Sequence, residues 1–244
     1  MKSIIVLLFL FVLSITSYSQ EMSFGIGSTI PPPNRDLNYE VRGIYTHPYK
    51  KDKLTKVKSI RDIIPSYPSE WIMGNISVEI FATCGGKVNK ALSSNINLTK
   101  EQKNIFTSAD IGSDIVIDIT YESKNPVTDN IESNKLHYSV TVVPEIEAVY
   151  LGGYQQLTEY IKENAIAKIP KSKSYQFPLT KVRFTVNEDG TIINTKLFQT
   201  SEDSAIDTLL LKVINNMPKW KPAENKKGIN VKQEFELSVG ITGC

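Results

Sequence analysis

Glu145 and Glu147 stand two residues apart, the spacing that puts two carboxylates on one face of a strand, where one could act as acid and the other as base. They lie in a polar connector, "EIEAVYLGG", where solvation rather than catalysis is the expected role. His137 sits between Leu136 and Tyr138 in an alternating stretch, so its ring points away from that apolar face. His47 and His137 have no ligand-like spacing to Cys84 or Cys244, so no metal site is expected. The two cysteines fit either a Cys84–Cys244 disulfide in an oxidising compartment or two free thiols. "FGIGST" (Phe24 to Thr29) opens like a dinucleotide loop, but no strand precedes it and no helix follows. Nucleophile elbows, H-E-x-x-H pairs and phosphate loops are absent from the sequence. An enzyme is not expected, nor a cofactor.

The charge balance excludes another class. A net charge of +2, with 22% charged residues, gives no basic stripe for nucleic acid. The Lys50-Lys51-Asp52-Lys53 cluster reads as a solvated face. At the N-terminus, Lys2 precedes an apolar run from Ile4 to Leu13, and Ser17 and Ser19 stand at −3 and −1 of a cut before Gln20. That run is too short to span a bilayer core of about 30 Å. Residues 1–19 are therefore expected to be a cleavable signal peptide. The mature chain is expected to be periplasmic with no membrane span, the lesser alternative being an uncleaved inner-membrane anchor.

The elements that must position any site fall into two blocks of an α+β chain. Residues 20–37 form a flexible lead-in stiffened at Pro31-Pro32-Pro33. Residues 38–143 alternate like strands: Ile76, Val78, Ile80 and Ala82, then Ile115, Ile117, Ile119 and Tyr121, then Leu136, Tyr138, Val140 and Val142. Thr99 and Gln102 form a capping box for one short helix. A small β-sandwich-like module is expected there. Residues 144–244 change rhythm: a helix carrying Tyr154, Leu157, Tyr160, Ile161 and Asn164, a hairpin turning at Asp189-Gly190, and a helix striped by Ile206, Leu209, Leu210, Val213, Ile214 and Met217. A last strand follows, with Ile229, Val231, Phe235, Leu237 and Val239 on one face. Between that helix and strand lies "MPKWKPAENKKG", in which Pro218 and Pro222 bracket Trp220. The prolines end the helix and restrict the exit direction, so the indole is expected to clamp the helix–sheet junction.

The strings "GGYQQLTEYIKEN", "VRFTVNEDGTI" and "AIDTLLLKVINNMPKWKPAENKKG", with the final strand, resemble the C-terminal domain of TonB-family proteins of the Bacteroidetes type. The Pro-x-Trp-x-Pro connector is the most specific of these pieces. More faintly, "GGKVNKALSSNINLTKEQKNIFTSADIGSDIVIDITY" looks like the C-terminal domain of the shaft protein of the gliding and type IX secretion machinery. The first resemblance implies an α-β-β-α-β domain that grips an extended peptide of an outer-membrane TonB-dependent receptor, or another extended segment, by strand addition. The edge expected to do so is Ile229, Asn230, Val231, Lys232, Gln233, Glu234, Phe235 and Glu236, with Lys232, Glu234 and Glu236 pointing outward. The opposing expectation is that the first module covers this edge. Envelope scaffolding or homodimerisation through the same domain is the alternative function.

Overall fold

In the computed structural model, which describes residues 37–67, 70 and 72–241, the first described strand pairs with the last one described. β1 (Asn38–Gly43) alternates polar and apolar residues and runs antiparallel to the final strand, from Asn38 opposite Gly240 to Gly43 opposite Phe235. Residues 38–43 therefore do not open the first module, as the 38–143 boundary supposed. Alternation identifies a strand but not the sheet that receives it.

The first module's sheet follows β1. β2 (Pro48–Lys50), β3 (Ile72–Cys84), β4 (Lys87–Ser93), β5 (Asp114–Lys124) and β6 (Ile131–Val143) form five strands in the order β2-β6-β5-β3-β4, with β2 parallel to β6 and the rest antiparallel. The alternating residues do turn one face inward: Val78, Ile80, Ile115, Ile117, Ile119, Val140 and Val142 are all buried. Helices, not a second sheet, cover that face. α1 (Lys51–Leu54), a 3-10 turn at Ile60–Asp62 and α2 (Lys100–Ser108) supply Leu54, Ile60, Ile105 and Phe106 to the same core. The sandwich expectation is corrected to a single sheet with helices on one side. Period-two alternation dictates only that one face is apolar; helices can bury it as well as strands do. Thr99 accepts from the Gln102 amide, and Gln102 Oε1 accepts from the Thr99 amide. Gln102 is fully buried, and its Nε2 donates to the Val78 carbonyl at 3.0 Å, so the capping residue also ties α2 to β3.

After Pro144 come β7 (Val149–Tyr150), α3 (Gly153–Asn164), β8 (Thr180–Val186), β9 (Ile192–Gln199), α4 (Ser204–Asn215), β10 (Trp220–Lys221), β11 (Ala223–Glu224), β12 (Asn230–Val231) and β13 (Gln233–Gly240). The main sheet has the order β1-β13-β8-β9, antiparallel throughout. Val182, Phe184, Val186, Leu237 and Val239 pack with Leu157 and Ile161 of α3 and Ile206, Leu210, Val213 and Ile214 of α4 in one buried cluster. Tyr160 joins the two helices, donating to the Val213 carbonyl at 3.0 Å. Tyr154, expected on the inner face of α3, is exposed. Asp203 caps α4, accepting from the Ala205 and Ile206 amides, where its charge also suits the positive end of the helix dipole.

Two turns of the form Asn-x-x-Gly shape this domain. At Asn187–Gly190 the Asn187 side chain accepts from the Asp189 and Thr191 amides, and Gly190 takes a φ of +83°. At Asn225–Gly228 the Asn225 side chain accepts from the Lys227 and Ile229 amides, with Gly228 at +71°. Gly190 is needed twice over: its backbone is left-handed, and a Cβ there would collide with the Trp220 carbonyl oxygen, a close approach held by the Trp220 amide donating to the Gly190 carbonyl at 2.8 Å. Gly190→Ala is expected to cost about 1–3 kcal/mol, since it adds left-handed strain and a backbone clash. A urea midpoint equal to that of the unaltered protein would show that the turn relaxes freely.

Candidate functional site

The candidate site is the edge of the second sheet, and β13 is its central element. On one side β13 pairs with β8 from Gln233 opposite Val186 to Val239 opposite Thr180. On the other side β1 holds Phe235 to Gly240, and the Ile44 amide adds a bond to the Glu234 carbonyl at 3.2 Å.

The expected binding edge, Ile229 to Glu236, is thus not one free strand. It breaks at Lys232. Asn230 and Val231 form β12 and pair with Glu224 and Ala223 of β11, while Ile229 sits exposed in the turn before them. Gln233 is buried, and its Oε1 accepts from the Ala148 amide at 2.7 Å. Phe235 and Glu236 lie between β8 and β1. The edge is covered from Phe235 to Gly240 by β1, a six-residue strand that belongs to the second sheet and not to the first module.

Glu236, expected to point to water, is 4% exposed. Its Oε2 accepts from Arg183 Nε at 2.9 Å and its Oε1 lies 3.2 Å from Lys181 Nζ. Burial alone would raise its pKa, but the hydrogen bonds and charges of Arg183 and Lys181 outweigh that and hold the carboxyl below its ordinary value. Arg183 in turn stacks its guanidinium 3.3 Å over the centre of the exposed Phe198 ring on β9. One face of the sheet thus carries a compact charged cluster fixed entirely by β8, β9 and β13.

The far edge of the sheet is β9. No described strand pairs with its outer side, and its register with β8 is broken around Asn194, which takes a φ of +53°. Such bulges twist an edge and discourage casual pairing. Beside β1, Tyr39, Tyr154, Leu179 and Ile241 line a shallow cleft of about 380 Å³.

The connector at residues 217–228 holds two very short strands, β10 and β11. Trp220 pairs with Tyr150, and its ring meets Tyr150 and Phe184 edge-on at 5.6 and 5.9 Å and Phe235 tilted at 4.9 Å. Pro218 is exposed and Pro222 half-buried on either side of it, and Lys219 and Lys221 are exposed. The indole contacts core residues of β7, β8 and β13 at once.

The chemically capable residues do not converge. Glu145 lies 3.8 Å from Lys50 Nζ, and Glu147 accepts from Gln233 Nε2 at 3.3 Å. His137 meets Asp118 at 2.6 Å on the exposed face of the first sheet. Cys84 is a half-buried thiol that accepts from Ser108 Oγ, while Cys244, its partner in the disulfide alternative, lies outside the described residues, as do residues 1–36 and Trp71. Among the described residues no group of three or more His, Cys, Asp or Glu is placed to hold a metal ion, and no helix is long and apolar enough to cross a membrane.

The site residues that sequence reasoning missed are those of β1. Their signal, apolar Leu37, Tyr39 and Val41 alternating with polar neighbours, was visible, but nothing local tied them to β13. Compared with known families, residues 153–238 match a family model described as TonB C terminal. No curated protein and no solved structure gives a significant match to the chain.

Proposed function

With residues 153–238 forming a TonB C-terminal domain, we propose that the protein is a periplasmic binding protein of outer-membrane transport that grips an extended segment of a TonB-dependent receptor by adding it as a strand to the second sheet. The observation that carries this reading is the edge of that sheet. β13 is closed on its outer side by a single short strand, and β1 and β9 end the sheet without further strand partners among the described residues. Strand addition draws its affinity from main-chain hydrogen bonds, so it needs such an edge and no special side chain. On this reading residues 1–19 are removed on export. The open β9 edge favours one second reading, an envelope scaffold that associates with another copy of itself.

Immobilised mature protein is expected to retain synthetic peptides from the N-terminal segments of outer-membrane TonB-dependent receptors, with slowed amide exchange confined to one edge of the sheet. Absence of retention, together with a dimer by sedimentation, would reject receptor binding in favour of the scaffold. Mass spectrometry of periplasmic material is expected to find a chain beginning at Gln20. A chain beginning at Met1 in membranes would favour the uncleaved inner-membrane anchor instead.

A further inference from the structure

The occupant of β13's outer edge comes from the far end of the chain. β1 lies at the rim of its sheet and is hydrogen-bonded as a strand on one side only. Its anchors are the buried Leu37 and the half-buried Tyr39 and Val41, three apolar side chains at alternate positions. Neither Glu40 nor Arg42 forms a salt bridge with any described residue, although Arg42 stands directly opposite Glu236. The Glu236 carboxylate is instead committed to Lys181 and Arg183 of β8. Removing β1 would strand no buried charge. It would, however, expose a row of main-chain donors and acceptors on β13, which favours replacement over simple opening.

We propose that β1 is a displaceable strand donated by the chain to its own binding edge, and that an extended partner segment takes its place on β13 by strand exchange. This rests on the strand-addition reading above and assigns its location and its regulation. The partner runs antiparallel to β13 and presents apolar side chains at the positions of Leu37, Tyr39 and Val41, with polar ones at those of Asn38, Glu40 and Arg42. Apparent affinity is then reduced by the fraction of molecules in which β1 is seated, so weakening β1 strengthens the partner.

The test locks and loosens β1 in the otherwise complete chain. Glu40 and Ser238 are directly opposed, and opposed antiparallel pairs have a Cα separation of about 4.5–5.5 Å, within the range a disulfide spans. A Glu40→Cys/Ser238→Cys variant, carrying Cys84→Ser and Cys244→Ser, is compared oxidised and reduced. The probe is a fluorescein-labelled peptide of residues 37–43, Leu-Asn-Tyr-Glu-Val-Arg-Gly, followed by anisotropy. The reduced form is expected to bind it and the oxidised form to lose at least about tenfold in affinity; a Tyr39→Ser/Val41→Ser variant, checked for folding by circular dichroism, is expected to bind roughly tenfold more tightly than the unaltered chain. Equal binding by oxidised and reduced forms, or no binding to the folded loosened variant, would overturn strand exchange. Receptor peptides passed through the same set separate the two readings. If they bind no form while the β1 peptide distinguishes locked from unlocked, the receptor reading falls and strand exchange stands. If they bind locked and unlocked forms alike, strand exchange falls and the receptor reading stands.

Discussion

Trp220→Ala is expected to lower the free energy of unfolding by roughly 3–5 kcal/mol, the range for truncating a buried large aromatic. The indole is 4% exposed and packs against Tyr150, Phe184 and Phe235, so the change removes contacts to three strands and leaves a cavity. Its Nε1 has no hydrogen-bond partner among the described residues, so the truncation breaks no side-chain hydrogen bond. The surroundings have little freedom to collapse into the space. Pro218 and Pro222 restrict the backbone on both sides, and the Trp220 amide is held by the Gly190 carbonyl. Urea unfolding followed by circular dichroism reads the effect as a fall in midpoint at unchanged slope. An unchanged midpoint combined with lost peptide binding would make Trp220 a contact residue of the site instead of a clamp.

Local chemistry was legible in the sequence wherever a short string carries its own geometry. The Thr99–Gln102 box, the Asp189-Gly190 turn, the Ile206–Met217 stripe and the alternation of Val182, Phe184 and Val186 each specify an element through contacts within a few residues. What could not be read is pairing across long separations. β1 and β13 lie at opposite ends of the chain, and a strand six residues long has no local mark of its partner. The first module was read as a sandwich because its apolar face is visible while the elements covering it, α2 and the turns around Ile60, are short. The final strand was read as continuous because Val231 and Phe235 keep the same parity, although the break at Lys232 sends them to different partners. Glu236 was read as outward because parity puts it opposite Leu237. The cations that bury it come from Lys181 and Arg183, far away in sequence, and only the register of β8 brings them there.

That carboxylate carries the second large effect. Each of its oxygens meets a different cation, Oε1 Lys181 and Oε2 Arg183, with little exposure to screening water. Glu236→Gln keeps the shape but leaves two partly buried cations without their counter-charge; the expected loss is about 2 kcal/mol at neutral pH, the scale of hydrogen bonds to charged groups. The pH dependence gives a sharper test. The folded-state pKa of Glu236 lies below its unfolded value of about 4.3, so its contribution is complete above that pH and disappears as pH falls through the folded value. The difference in stability between the unaltered protein and Glu236→Gln is therefore expected to be constant above about pH 5 and to shrink toward zero in stronger acid, where Glu236 is itself neutral. Taking the difference cancels the other depressed carboxylates, such as Asp62 and Asp207, which titrate in both proteins. A difference that persists unchanged at low pH would mean that Gln disturbs packing and that the ion cluster contributes nothing of its own. Because the cluster is anchored on β8 and β13, locking β1 to β13 should leave this pH profile as it is.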